Sequence, residues 1–313
     1  MNEIKYFICP MSKNIVDAVI ELNDPRLAFL PSRRQIDFNG GYTGWTTETF
    51  AKYVDGRVMI ARDHGGIGQG TYHDSGFESF GIDAKYFDLI HVDPWKYHAD
   101  FDNAIQYTID AVRYIHNQNP KVKLEIGTEE ALRPMTSKQL QTMLEILSMK
   151  LPVSVFDSIA YTVIQSGVEI DLTNSANTGN FDVSRLQRDI DICKAFGKLS
   201  KEHNGDFLNE TQYRTRFKYG LSAINIGPEL SSMENEIYLN HMLDNDIDKF
   251  YKICYESNTW KKWVSPTFNI NDKRAIIKIC GHYNYRSFKL PDVSHIIKQA
   301  VNDKLQTLLT YVK

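Results

Sequence analysis

Eight short apolar runs fill the chain from Ile4 to Leu243, each closing on polar or charged residues and most followed by a stretch of helical periodicity. The runs are Ile4–Cys9, Leu27–Leu30, Arg57–Ala61, Asp88–Val92, Val122–Ile126, Ile159–Gln165, Lys198–Ser200 and Leu221–Ile226. Between them, Ser12–Leu22 carries Ile15, Val19 and Leu22 on one face, and Thr47–Val54 opens after threonines suited to N-capping. Asn103–His116, Ser137–Met149, Val183–Phe196, Glu210–Tyr219 and Leu230–Leu243 follow, with apolar residues three and four apart. Strand–helix alternation of this kind implies a parallel sheet covered by helices. Eight units favour an α/β fold of the closed (β/α)8 TIM barrel type over an open doubly wound sheet. No G-x-G-x-x-G follows the first strand, which argues against a dinucleotide fold.

Beyond Leu243 the pattern changes. Asp244–Tyr255 is charged, Trp260–Trp263 aromatic and basic, Ala275–Ser287 mixed, and Ile296–Val312 reads as a terminal amphipathic helix. The expected organisation is a barrel over 1–243 and a C-terminal helical extension over 244–313, packed on the barrel or on a partner. With 313 residues, 42% of them hydrophobic, the chain can bury a core of that size. A net charge of -3 supplies no general electrostatic reason to bind nucleic acid or an anionic membrane. Cys9, Cys193, Cys254 and Cys280 are not at metal-ligand or redox spacing and read as buried, reduced thiols. Met1-Asn2-Glu3 leads into a strand-like segment rather than a signal peptide, and no apolar stretch reaches the ~20 residues that span a bilayer. A cytoplasmic protein is expected.

In a barrel of parallel strands, chemistry gathers at the strands' carboxyl ends. The third run ends in Arg62-Asp63-His64-Gly65-Gly66, a carboxylate beside an imidazole with glycines to free the turn. The other ends carry related chemistry: Ser32-Arg33-Arg34-Gln35 after strand two, His91-Val92-Asp93 after four, Glu125-Ile126-Gly127-Thr128-Glu129 after five, and Gln165-Ser166-Gly167-Val168-Glu169 after six. Strand seven leads through Glu202 to His203-Asn204-Gly205-Asp206, and strand eight to Asn225-Ile226-Gly227-Pro228-Glu229. Histidines suit a transition metal such as zinc, and carboxylates complete its shell or act as acid and base. The turns after strands seven and eight fall where barrels commonly bind phosphate with backbone N–H groups. Gly65–Gly70 reads as a mobile active-site loop leading into loop-like Thr71–Phe80, and Lys261-Lys262 as a solvated charge pair with no wider basic patch.

Phe38-Asn39-Gly40-Gly41-Tyr42-Thr43-Gly44-Trp45-Thr46 resembles, with one extra residue, the F-G-G-Y-T-G-M-T segment of the tagatose-bisphosphate aldolase non-catalytic subunits. Asp63-His64 is similar to that family's G-D-H, His91-Val92-Asp93 to H-L-D, Ile126–Glu129 to I-G-T-E and Val163–Glu169 to V-V-Q-P-G-V-E. Glu202-His203 with Asp206, Ile226–Leu230 and Asn284-Tyr285-Arg286 have counterparts there too, so the resemblance spans nearly the whole chain. It implies kinship with class II aldolases, (β/α)8 barrels that use a divalent metal, usually zinc. By that resemblance His64 and His203 are metal ligands, Asp63 is the neighbouring acid/base, and the turns after strands seven and eight hold a phosphate. The chain departs from active class II aldolases where they place a further histidine after strand six, since Gln165 stands there.

Three readings follow. The first is a Zn2+-dependent, aldolase-like lyase of carbohydrate metabolism, cleaving or forming a C–C bond in a phosphorylated ketose through an enediolate. His64 and His203 hold the metal with Glu125, Glu129 or Glu169 as third ligand, and Asp63 or Asp93 moves the proton. Arg33, Arg34, Asn204 and Gly227 bind phosphate, with Gln35, Gln165, Gly205, Asp206 and Asn225 as further substrate contacts. The second is a non-catalytic subunit that stabilises a separate catalytic aldolase, consistent with the missing strand-six histidine. The third keeps barrel and metal but epimerises or isomerises the sugar phosphate. The expected assembly is a homo-oligomer or a complex with a catalytic aldolase subunit.

Overall fold

The computed structural model describes residues 3–312. Its elements, in chain order, are β1 (Tyr6–Ile8), α1 (Lys13–Leu22), β2 (Leu27–Phe29), α2 (Thr47–Val54), β3 (Met59–Gly65), α3 (Phe77–Tyr86), β4 (Leu89–Val92), α4 (Phe101–Gln118), β5 (Lys123–Ile126), α5 (Ser137–Lys150), α6 (Val153–Ser158) and β6 (Ile159–Ile164). Then come the two-residue strands β7 (Ile170–Asp171) and β8 (Ala176–Asn177), followed by α7 (Val183–Ala195), β9 (Leu199–Glu202), α8 (Glu210–Lys218), β10 (Ala223–Ile226), α9 (Pro228–His241), α10 (Asp244–Glu256), α11 (Lys273–Cys280) and α12 (Ser294–Thr310). Strands β1–β6, β9 and β10 close into a barrel in chain order, every pair parallel, with β10 returning to β1. The fold is a (β/α)8 TIM barrel. No helix among the described residues is long and apolar enough to cross a membrane.

Capping sets several of the anticipated helix starts. Ser12, Thr46, Asp100, Thr136, Asp182 and Asn209 each accept a backbone N–H of the first turn, and Thr46, Thr136 and Asn209 complete capping boxes. The stretch Thr71–Phe80 is not all loop, because α3 begins at Phe77. Its N-cap is Gly76, with no side-chain hydrogen bond, and Gly81 lies inside it, so neither usual signal marks the helix. It docks through Phe80 and Ala84 and through buried Asp83, which pairs at 2.6 Å with the buried Arg62. Arg62 also donates to Pro31 O and Ile36 O, tying the β2–α2 segment to β3 rather than facing a ligand.

The terminal segment packs in two parts. Phe250, Cys254, Trp260, Ile276, Ile277 and Cys280 form a second core around α10, α11 and the 3-10 turns Thr259–Trp263 and Gly281–Ser287. Helix α12 instead returns Ile297, Val301, Leu305 and Leu308 to the barrel's own core, against α1 and α9. There the Tyr6 hydroxyl donates to Leu308 O across 2.8 Å. The four cysteines are free and buried.

Candidate metal centre and substrate cavity

Strand periodicity decides which side chains enter the barrel. On β9, Lys201 and the following His203 face inward while Glu202, between them, points out to Arg216 of α8. On β5, Glu125 faces inward between Lys201 and His203, and all three are buried. An ideal strand would send Asp63 and His64 to opposite faces. The β3–β4 register slips between Arg62 and Gly65, and His64 takes a φ of 42°, so this bulge brings two consecutive side chains to one cavity.

Each of the two imidazoles is held by a carboxylate on its far nitrogen. His64 Nδ1 lies 2.6 Å from Asp93 Oδ2, and His203 Nε2 lies 2.9 Å from Glu125 Oε1. A carboxylate accepts, so these nitrogens carry the protons and His64 Nε2 and His203 Nδ1 turn toward the cavity. Two carboxylate oxygens meet them. Asp63 Oδ1 is 3.6 Å from His64 Nε2 and 3.8 Å from His203 Nδ1, and Glu129 Oε2 stands at the same two distances. Donors bonded at roughly 2.0–2.2 Å around one tetrahedral ion lie about 3.4 Å apart, so the spacing is slightly wider than a closed shell. Asp63 Oδ1 is buried and accepts no hydrogen bond. Two imidazole nitrogens and two carboxylates, one of them with an orphaned oxygen, fit a divalent transition metal.

Electrostatics agree with a cation-seeking site. Desolvation opposes charge on His64, but Asp63, Glu129 and Asp93 outweigh it and raise its pKa well above the ordinary value. Burial likewise opposes ionisation of Glu129, yet His64, His203 and the Asn204 amide bring its pKa down to about 2. Glu125 resists its burial through Lys201, His91 and His203 and stays ionised well below the carboxylate range.

The other expected site residues separate into those that serve the cavity and those that serve the scaffold. Glu125 is spent on Lys201 and His203, and Glu169 is exposed beside a separate groove with Glu130 and Arg185. Of the three carboxylates expected as third ligand, Glu129 meets the imidazoles. Asp93, the alternative proton carrier, sits fully buried behind His64. His91 belongs with Asp63, His64 and His203 to one group whose ligand atoms lie within 4.8 Å of one another, but its Nε2 donates to Gly127 O and its Nδ1 accepts the His64 N–H. Gln165, at the strand-six position, is consumed by Met135 N, Arg185, Thr128 O and Arg133 O. Arg33 is buried against Asp37 and Asp74 and donates to Gly66 O, which pins the glycine-rich loop. The Gly205 N–H is donated to Asn225 O. The N–H groups of Gly227 and Glu229 are both donated to Asp206, so the α9 N-terminus already holds a carboxyl group.

A cavity of about 220 Å³ opens above the cluster, lined by Asp63, His64, Glu129, His203, Asn225 and Gln35 among others. Asn225 Oδ1 is buried there without a hydrogen-bond partner, which suits a hydroxylated ligand. The lining also includes Lys96, Lys262, Trp263 and Tyr283. Lys262 is therefore part of the cavity wall and not an isolated solvated charge. A larger open groove between α5 and α7 contains none of the strand-end residues.

No protein-family model matches the chain, and comparison with curated proteins finds no match. Solved structures do resemble it. A probable tagatose 6 phosphate kinase from Sinorhizobium meliloti 1021 superposes with a TM-score of 0.72 at 15% identity, over 98% of this chain and 87% of that one. The fructuronate-tagaturonate epimerase UxaE from Cohnella laeviribosi follows at 0.61 and 12%, covering 99% and 79%. The YdjI aldolase from Escherichia coli K12 stands at 0.55 and 13%, covering 97% and 91%. At these identities the likeness is one of fold, the (β/α)8 barrel.

Proposed function

We propose that this chain is a divalent-metal-dependent, aldolase-like enzyme acting on a phosphorylated ketose or a related carbonyl compound. The observation that carries the reading is the meeting of His64 Nε2, His203 Nδ1, Asp63 Oδ1 and Glu129 Oε2, each imidazole braced from behind by a carboxylate. His64, His203 and Glu129 would hold the ion, with zinc the first choice for this donor set. Bound there, such an ion supplies Lewis-acid polarisation of a substrate carbonyl. Asp63 takes the substrate's hydroxyl proton at Oδ1 as the C–C bond breaks and returns a proton to the departing carbon. Asn225 orients a substrate hydroxyl through its unpartnered oxygen, and Asn204 fixes Glu129. Asp93 and Glu125 keep the two imidazoles in the binding tautomer.

The test is metal content and turnover of the isolated chain, purified without chelator and loaded with zinc. Close to one ion per chain is expected, with two fragments formed from a phosphorylated ketose. Asp63→Asn should lower kcat by about 10²–10⁴; a full-rate variant would remove the proton role. A single isomeric product in place of two fragments would favour epimerisation, a reading compatible with the same base. Failure of the isolated chain to turn over, with activity restored by a separate aldolase, would favour the subunit reading that Gln165 at the strand-six position invites.

A further inference from the structure

Of the groups first expected to bind phosphate, Arg33 is spent on Asp37 and Asp74, the Gly227 N–H on Asp206 and the Asn204 amide on Glu129, whereas Arg34 remains at the cavity. The cavity still has a cationic wall. Arg34 follows β2, Lys96 follows β4, and Lys262 lies in the 3-10 turn Thr259–Trp263 of the C-terminal extension, so three separate parts of the chain deliver one charge each to the same opening. None of the three makes an ion pair or a side-chain hydrogen bond among the described residues.

We propose that Arg34, Lys96 and Lys262 form the subsite that holds the phosphate monoester of the substrate, so that the C-terminal extension completes a site whose chemical end lies on β3, β5 and β9. This deepens the reading above and rests on it for the identity of the substrate. Three converging cations, none of them ion-paired although Glu129 lies within reach of Lys96 and Lys262, match a dianion better than a single carboxylate. Partial desolvation, then Arg34 and Lys96, lower the Lys262 pKa, and desolvation followed by Arg34 does the same to Lys96. Mutual repulsion of this kind is what a bound phosphate relieves. Lys262 Nζ stands 4.4 Å from the Trp263 ring centroid, so that indole reports on occupancy.

The experiment titrates inorganic phosphate into the full-length protein as purified, following tryptophan fluorescence and heat, with metal content measured on the same samples. Lys262→Gln and Arg34→Gln should each weaken phosphate about tenfold or more, the loss of one charge-assisted contact. Lys261→Gln, whose ammonium lies 5.8 Å from the Trp260 ring centroid and which does not line the cavity, should bind phosphate as the wild type does. All three variants should retain wild-type metal content and melting temperature. Unchanged phosphate affinity in Lys262→Gln and Arg34→Gln, or equal competition by acetate, overturns the subsite. Metal retention with unchanged phosphate affinity removes the subsite alone. Loss of phosphate binding in Lys262→Gln by a protein that holds no metal keeps the subsite and removes the aldolase reading.

Discussion

Asp63 and His64 are neighbours in sequence and would be on opposite sheet faces in a regular strand. A bulge with His64 at φ 42° places both in one cavity, a backbone arrangement that only its surroundings can hold. The brace behind His64 is Asp93, fully buried and 2.6 Å from Nδ1. Asp93→Asn keeps the shape but removes the charge, so metal affinity should fall about 10- to 100-fold, as seen when such supporting groups are lost. Competition with a graded chelator measures it, and unchanged affinity would show that the bulge alone orients His64. Beneath the site, Lys201 and Glu125 pair at 2.6 Å with no exposure, Lys201 lying 3.7 Å from the centroid of Phe7. A buried pair of this kind sets the charge of Glu125 and through it the orientation of His203.

At the scale of elements, the segment between β3 and α3 carries the glycine-rich loop and closes one side of the cavity through Gln69, whose amide donates to Asp93 O. Gly76 caps α3 at φ +80°, and a Cβ there would run into the backbone of Gly66. Gly56, at φ +68°, has open space around the same position. Alanine at Gly56 should cost about 1 kcal/mol of backbone strain. Alanine at Gly76 should cost clearly more and also weaken metal binding, because the loop must move. Paired chemical denaturation of the two variants separates strain from overlap; equal losses would mean that the loop yields freely. Arg33, with Asp37, Asp74 and Gly66 O, is what keeps it from yielding.

For the molecule as a whole, α9 is the seam between barrel and extension. Its Glu234 is fully buried and accepts from Asn14 of α1, while Asn235 donates to Lys278 O and accepts from Tyr285 in the extension. Burial raises the Glu234 pKa to about 7, against partial relief from Ser12, Asn14 and Tyr238. In the unfolded chain this carboxyl titrates near 4.5, so between about pH 4.5 and 7 the native state binds the extra proton and stability falls as pH rises. Glu234→Gln should match the wild type below about pH 4.5 and exceed it by about 3 kcal/mol near pH 8. Urea denaturation at the two pH values measures this, and a constant difference would show that Glu234 is not the titrating group.

The order of strands and helices, their approximate bounds and the strand-end placement of Asp63, His64, His203 and Glu129 were legible in the sequence, because apolar periodicity and capping residues act over a few positions along the chain. What each strand-end residue meets was not. Gln165, Arg33 and Gly227 carry the right chemistry for a ligand, and only the fold shows that Arg185, Asp74 and Asp206 have already taken them. Lys262 reads as a surface charge until the extension folds back over the barrel mouth, and α3 is hidden because Gly76 and Gly81 erase its local signal. Local periodicity is written in neighbouring residues, whereas the pairing of buried charges depends on groups brought together from distant parts of the chain, and only tertiary structure decides which are left over for a ligand.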